Sequence, residues 1–202
     1  MSERPSLFEA LADVKELRRR ILDRQLFFGY SGWTRIAGGF VAIIGAFLLS
    51  RDWVPAMPWA HIIGWGAICA ISAIANFSAV FHWWKSQAIE LIQLRPVLDL
   101  LAPFIVGALL TFCILYRQDF ELLFPIWMWV FGLMNISSRH SMPQAMVFVG
   151  WFYIFAGAIC AFRMDNNSFL HPWPMGITFF IGEIAGGSVF IKLRKENKTD
   201  EE

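Results

Sequence analysis

The chain has 202 residues, of which 57% are hydrophobic, 16% aromatic and only 16% charged, and its formal net charge is +1. A water-soluble domain typically carries about 25% charged residues, so this composition excludes an ordinary soluble enzyme or binding module. The length is taken up by apolar segments and short connections, with no stretch left for a separate soluble domain.

Residues 1–28 contain Glu3, Glu9, Asp13, Glu16 and Asp23 among basic residues and have no continuous apolar run, so no signal peptide is expected there. Ser6-Leu7-Phe8-Glu9 has the spacing at which a serine oxygen and a glutamate side chain satisfy each other's backbone amides at a helix start. Leu7, Leu11, Val14, Leu17, Ile21 and Leu22 then recur at three- and four-residue steps, which predicts an amphipathic helix. Arg18, Arg19, Arg20 and Arg24 crowd toward the first apolar segment, where anionic lipid attracts each by about 1 kcal/mol. Two readings follow: a helix lying on the inner leaflet, or a docking helix for a cytoplasmic partner or a second copy.

Six apolar segments follow, at 33–50, 59–81, 98–116, 122–136, 145–162 and 173–191. A membrane-spanning helix needs roughly 20 mostly apolar residues, so the expected fold is an all-α integral membrane protein of six transmembrane helices. The expected organisation is a cytoplasmic amphipathic helix over 1–32, a transmembrane bundle over 33–192 and a charged cytoplasmic tail over 193–202. Basic residues set its orientation. Arg4, Lys15, Arg18, Arg19, Arg20, Arg24 and Arg35 precede or open the first span. Lys85, Arg95, Arg139, Lys192, Arg194, Lys195 and Lys198 fall on the same side, and only Arg51, Arg117 and Arg163 fall on the other. Positive charge near span ends is retained in the cytoplasm, which places both termini there.

Each outer connection has an arginine, a nearby aspartate and then a proline close to a tryptophan: Arg51-Asp52 to Pro58-Trp59, Arg117 and Asp119 to Pro125 and Trp127, and Arg163 and Asp165 to Pro172-Trp173. Three tandem helical hairpins would give this pattern. So would the separate preferences of proline for a helix's first turn and of tryptophan for the interface. Small residues four apart mark packing seams: Gly38, Ala42 and Ala46; Gly66 and Ala70; Gly157 and Ala161; Gly182 and Gly186.

Chemistry inside such a bundle falls to its few polar groups. Glu183 stands near the middle of the last segment among glycines, where a carboxylate costs at least ~2.5 kcal/mol unless protonated, paired or beside water. It reads either as a proton carrier or as polar glue between helices. Asn76 and Asn135 are placed to hydrogen-bond across helices toward the cytoplasmic ends of their spans. His61 and His171 sit at outer span ends, where Asp52, Asp119 or Asp165 could complete an oxygen-and-nitrogen metal site. No local ligand spacing supports that site, so no metal is assigned. His82 and His140 read as interfacial. Cys69, Cys113 and Cys160 lie within spans, and neither a disulfide nor a ligand role is assigned to them. The sequence contains no serine nucleophile elbow, phosphate-cradling glycine loop or paired-carboxylate motif. No catalytic residue, cofactor or nucleic-acid partner is expected.

The run Tyr30-Ser31-Gly32-Trp33-Thr34-Arg35-Ile36-Ala37-Gly38-Gly39 resembles the opening of the first span in a family of uncharacterised bacterial six-helix inner-membrane proteins often encoded beside winged-helix regulators. Ser138-Arg139-His140-Ser141-Met142-Pro143, before the fifth span, is similar to that family too. The resemblance implies a bacterial inner membrane and a regulatory or sensing role, and it transfers no functional residue. The expected function is a non-enzymatic membrane-embedded sensor or partner-binding protein. Its partners would be the bilayer, anionic inner-leaflet lipid and a cytoplasmic protein or a second copy. The alternative is a small proton-coupled or cation transporter or channel using Glu183.

Overall fold

The computed structural model describes residue 14 and residues 31–86, 95–140, 142–163, 165 and 168–199. The proposed lipid- or partner-contacting residues Arg18, Arg19, Arg20 and Arg24 lie outside the described residues. Six helices account for nearly all of the rest: α1 (Gly32–Leu49), α2 (Pro58–Ser86), α3 (Arg95–Arg117), α4 (Leu123–Ser137), α5 (Ala145–Phe162) and α6 (Trp173–Thr199). Single 3-10 turns at Phe120–Leu122, Ser138–His140 and Ser168–Leu170 join some of them. Every apolar segment expected from the sequence falls on one of these helices, and among the described residues six stretches are long and apolar enough to cross a membrane. The protein is a multi-pass, all-α membrane protein.

Consecutive helices that touch run antiparallel, and the two most extensive packings are α1 with α6, the helices most distant in sequence, and the consecutive pair α4 with α5. Contacts trace the order α2, α1, α6, α5, α4, α3 across the bundle. The cause can be read from α1, whose buried positions include Gly32, Arg35, Gly39, Ala42, Ala46 and Leu49. Alternating steps of three and four residues keep one seam facing one partner along the whole helix. The seam residues are small, so α6 comes very close: a Cβ on Gly32 would stand 2.5 Å from the Gly187 carbonyl oxygen, and one on Gly187 2.6 Å from that of Gly32. At the other end Gly176 lies against Ala46. Gly132 and Gly150 make the equivalent crossing between α4 and α5, each hypothetical Cβ 2.8 Å from the other's carbonyl oxygen. In lipid, where burial of apolar surface does not drive association, such close backbone approach supplies the dispersion contacts that do.

Two of the expected small-residue seams are corrected. Gly38 faces α2 at a distance, with Ser72 Oγ 4.0 Å from its hypothetical Cβ, and it is Gly39 that meets α6. Nothing lies within 4 Å of a Cβ placed on Gly66, and Ala70 is exposed, so that pair makes no seam within the bundle. α2 instead shows Ile63, Ile71, Ile74, Phe77 and Phe81 to the surroundings.

The end of the bundle away from the α1 N-terminus is closed by aromatic rings. Trp65 meets Phe124 edge-on at 5.7 Å, Phe124 meets Phe169 at 4.9 Å, and Trp59 meets Phe120 at 5.8 Å. α3 ends there through Gln118, whose φ of 63° lies in the left-handed region, while the Asp119 amide donates back to the Ile114 carbonyl at 3.2 Å. That is the six-to-one bond of a helix stop made without its usual glycine.

Candidate functional site

At the opposite end, where α1 begins, four helices contribute polar side chains to one buried network. Arg35 stands in the first turn of α1, in register with Gly39 and Ala42, so its side chain must enter the α1–α6 seam. There the guanidinium makes a two-point contact with Glu183 of α6. Nε donates to Oε2 at 3.0 Å and Nη2 to Oε1 at 2.8 Å. The two side chains are only 8% and 12% exposed. Paired parallel N–H donors matched to both carboxylate oxygens are the strongest geometry available to these groups.

Two further side chains join the pair. Tyr153 of α5 donates its hydroxyl to Glu183 Oε1 at 3.1 Å. Arg35 Nη1 donates to Asn135 Oδ1 of α4 at 3.3 Å, and Asn135 Nδ2 donates to the Phe131 carbonyl one turn earlier at 2.7 Å. That last bond fixes which amide atom faces the arginine. The Phe190 ring centroid is 6.0 Å from Arg35 Cζ, within cation–π range. Glycines make the space: a Cβ on Gly186 would stand 3.0 Å from the guanidinium carbon, and Gly182 faces the Tyr153 ring directly.

The sequence places Glu183 near the middle of the last span, and in the packed bundle Gly187, one turn on, is level with the start of α1. α6 has 27 residues, about 40 Å at 1.5 Å per residue, against a hydrocarbon core of about 30 Å. The helix is therefore long enough to run out of such a layer, and Glu183, ten residues or about 15 Å past Trp173, stands near its middle when measured from that end. The same continuity means that 192/193, the expected start of the tail, is not a break in the chain's helix.

Of the three expected intramembrane polar residues, the structure joins Glu183 and Asn135 through Arg35 and leaves Asn76 apart. Asn76 faces Thr34, whose hydroxyl lies 3.4 Å from Asn76 Oδ1, and bonds the Ser72 carbonyl through Nδ2 at 2.9 Å. Arg35 and Tyr153 were not expected. By its position in the sequence Arg35 is a charge at the membrane boundary, although its heptad spacing from Gly39, Ala42 and Ala46 is visible there. At the far end His61 is buried, at 3% exposure, whereas His171 is exposed. His61 Nδ1 and Trp65 Nε1 are buried without a hydrogen-bond partner among the described residues. Among those residues no three His, Cys, Asp or Glu side chains are grouped to hold a metal ion.

Compared with known proteins, the chain matches no family model, and no curated protein or solved structure matches it.

Proposed function

We propose that the protein is a non-enzymatic sensor or partner-binding protein of a bacterial inner membrane, with both termini in the cytoplasm and the Arg35–Glu183 pair acting as its latch. The observation that carries this reading is the engagement of both carboxylate oxygens of Glu183. Its two oxygens receive Arg35 Nε, Arg35 Nη2 and the Tyr153 hydroxyl. A carboxylate so held is committed to joining α1 and α6, whereas a proton carrier must exchange its proton with an open path. Arg35 stands in the first turn of α1, immediately after the basic N-terminal segment, so a force on that segment acts on the latch. Losing one partner of a buried pair leaves the other charge uncompensated, at a cost of about 3–5 kcal/mol. Closed and open packings of the α1–α6 seam would therefore be well separated states, which a partner bound to the N-terminal segment could bias by binding one better. The orientation rests on the basic asymmetry, and the inner-membrane assignment on the family resemblance of the first span.

The test has two arms. Vesicles reconstituted with the parent protein should pass protons and common cations no faster than empty vesicles. Pull-downs from native membranes should recover a defined partner that charge reversal at Arg18, Arg19 and Arg20 removes, with insertion intact. A flux in the parent that Glu183→Gln abolishes would replace this reading with the proton-coupled or cation transporter. Identical captured proteins before and after reversal would remove the docking role of the N-terminal segment.

A further inference from the structure

We infer that a shallow cavity at the basic end, between the start of α1 and the emerging part of α6, is a specific site for the phosphate headgroup of an anionic phospholipid. The cavity has a volume of about 170 Å³ and is lined by Gly32, Trp33, Phe190, Ile191, Arg194 and Lys195. Its composition divides by height. Phe190 and Ile191 belong to the apolar part of α6, and Phe190 is buried. Arg194 and Lys195 are one turn further on and exposed, where the helix leaves the apolar layer. Trp33, also in the lining, is 70% exposed, and tryptophan favours the headgroup region because it joins an apolar ring to one N–H donor. An apolar floor, an interfacial indole and two adjacent cations match the join between acyl chains and phosphate in a lipid.

The position on α6 is set by the helix, not by the bulk charge of the tail. Gly187, Ile191, Arg194 and Lys195 recur at three- and four-residue steps, so the cations extend the face that packs on α1. Lys192 lies on a different face, 3.8 Å from Glu196. Arginine and lysine carry five and three N–H donors respectively, so each can take a phosphate oxygen alongside another contact. Phe190 also has Arg35 Cζ 6.0 Å from its ring centroid. A lipid seated in the cavity therefore borders the α1–α6 seam at the latch. The inference does not depend on whether the protein is a sensor or a transporter.

Full-length protein, delipidated in neutral detergent, is titrated with phosphatidylglycerol, phosphatidylcholine or inorganic phosphate while thermal unfolding is followed. Phosphatidylglycerol should raise the midpoint saturably, and the other two should not. At about 1 kcal/mol per basic residue, Arg194→Gln with Lys195→Gln should weaken the half-saturating concentration by ~30-fold. The exchange Arg194→Lys with Lys195→Arg should retain binding. Arg18→Gln with Arg19→Gln and Arg20→Gln, which removes more charge from another part of the sequence, should change it little. An equal shift with inorganic phosphate would overturn the lipid as the source. Equal shifts with phosphatidylcholine, or equal weakening by both sets of glutamine variants, would overturn a specific site in favour of diffuse attraction.

Discussion

Arg35 and Glu183 illustrate how a charge is kept inside an apolar helix bundle. Each alone would be costly there, and the pair is tolerable because the fork of donors matches both carboxylate oxygens and because Tyr153 and Asn135 take up remaining capacity. The consequence is strong non-additivity. Arg35→Gln or Glu183→Gln alone leaves an unpaired buried charge and should destabilise by about 3–5 kcal/mol, whereas the double replacement should recover much of that loss. Tyr153→Phe removes one hydrogen bond to a charged group and should cost about 1.5–3 kcal/mol. Unfolding midpoints of the four variants in one detergent decide the matter. A double variant as unstable as the sum of the singles would show that the two side chains act independently.

At the scale of the helix, the sequence was legible where length and apolarity decide and less so where facing decides. Six long apolar runs could form little else in a membrane, so their existence and order were plain. Which side of each helix meets which neighbour was not, because small residues four apart occur both on seams and on open faces. Gly66 and Ala70 fit the seam pattern as well as Gly182 and Gly186, yet only the latter pair is enclosed. Glu183 and Asn135 were found because polar residues stand out in apolar segments. Arg35 was missed because arginine three residues into a span is also what an ordinary interface looks like. Tyr153 was missed because tyrosine is common in apolar segments. The difference between seam and open face can be measured. Gly187→Leu drives a side chain into the Gly32 carbonyl and should destabilise by at least about 1–3 kcal/mol while loosening the latch. Gly66→Leu enters open space and should leave the melting midpoint nearly unchanged. Equal losses from both would mean that α2 has a protein neighbour on that face.

For the whole molecule, the order of packing matters more than the order of the chain. Three hairpins were one reading of the repeated outer connections, and each consecutive pair within them does make contact. The larger contacts, α1 with α6 and α4 with α5, run between hairpins, so the first and last helices close on one another. Antiparallel packing of α1 on α6 puts the start of one beside the outgoing end of the other, and this couples the two ends of the chain at a single membrane face. Fourteen of the 17 lysines and arginines fall on that face by the span order, and the positive-inside tendency predicts that such a face is the cytoplasmic one. A topology reporter fused after Glu202 should then be active only in its cytoplasmic form, and one inserted after Asp52 only in its external form. Exchange of both results would mean that the bundle inserts the other way, with the latch and the lipid cavity facing outward. Agreement between the two sites, both inside or both outside, is incompatible with α1 crossing the bilayer in an antiparallel pair with α6, because Asp52 lies just past the far end of α1 and Glu202 beyond the near end of α6.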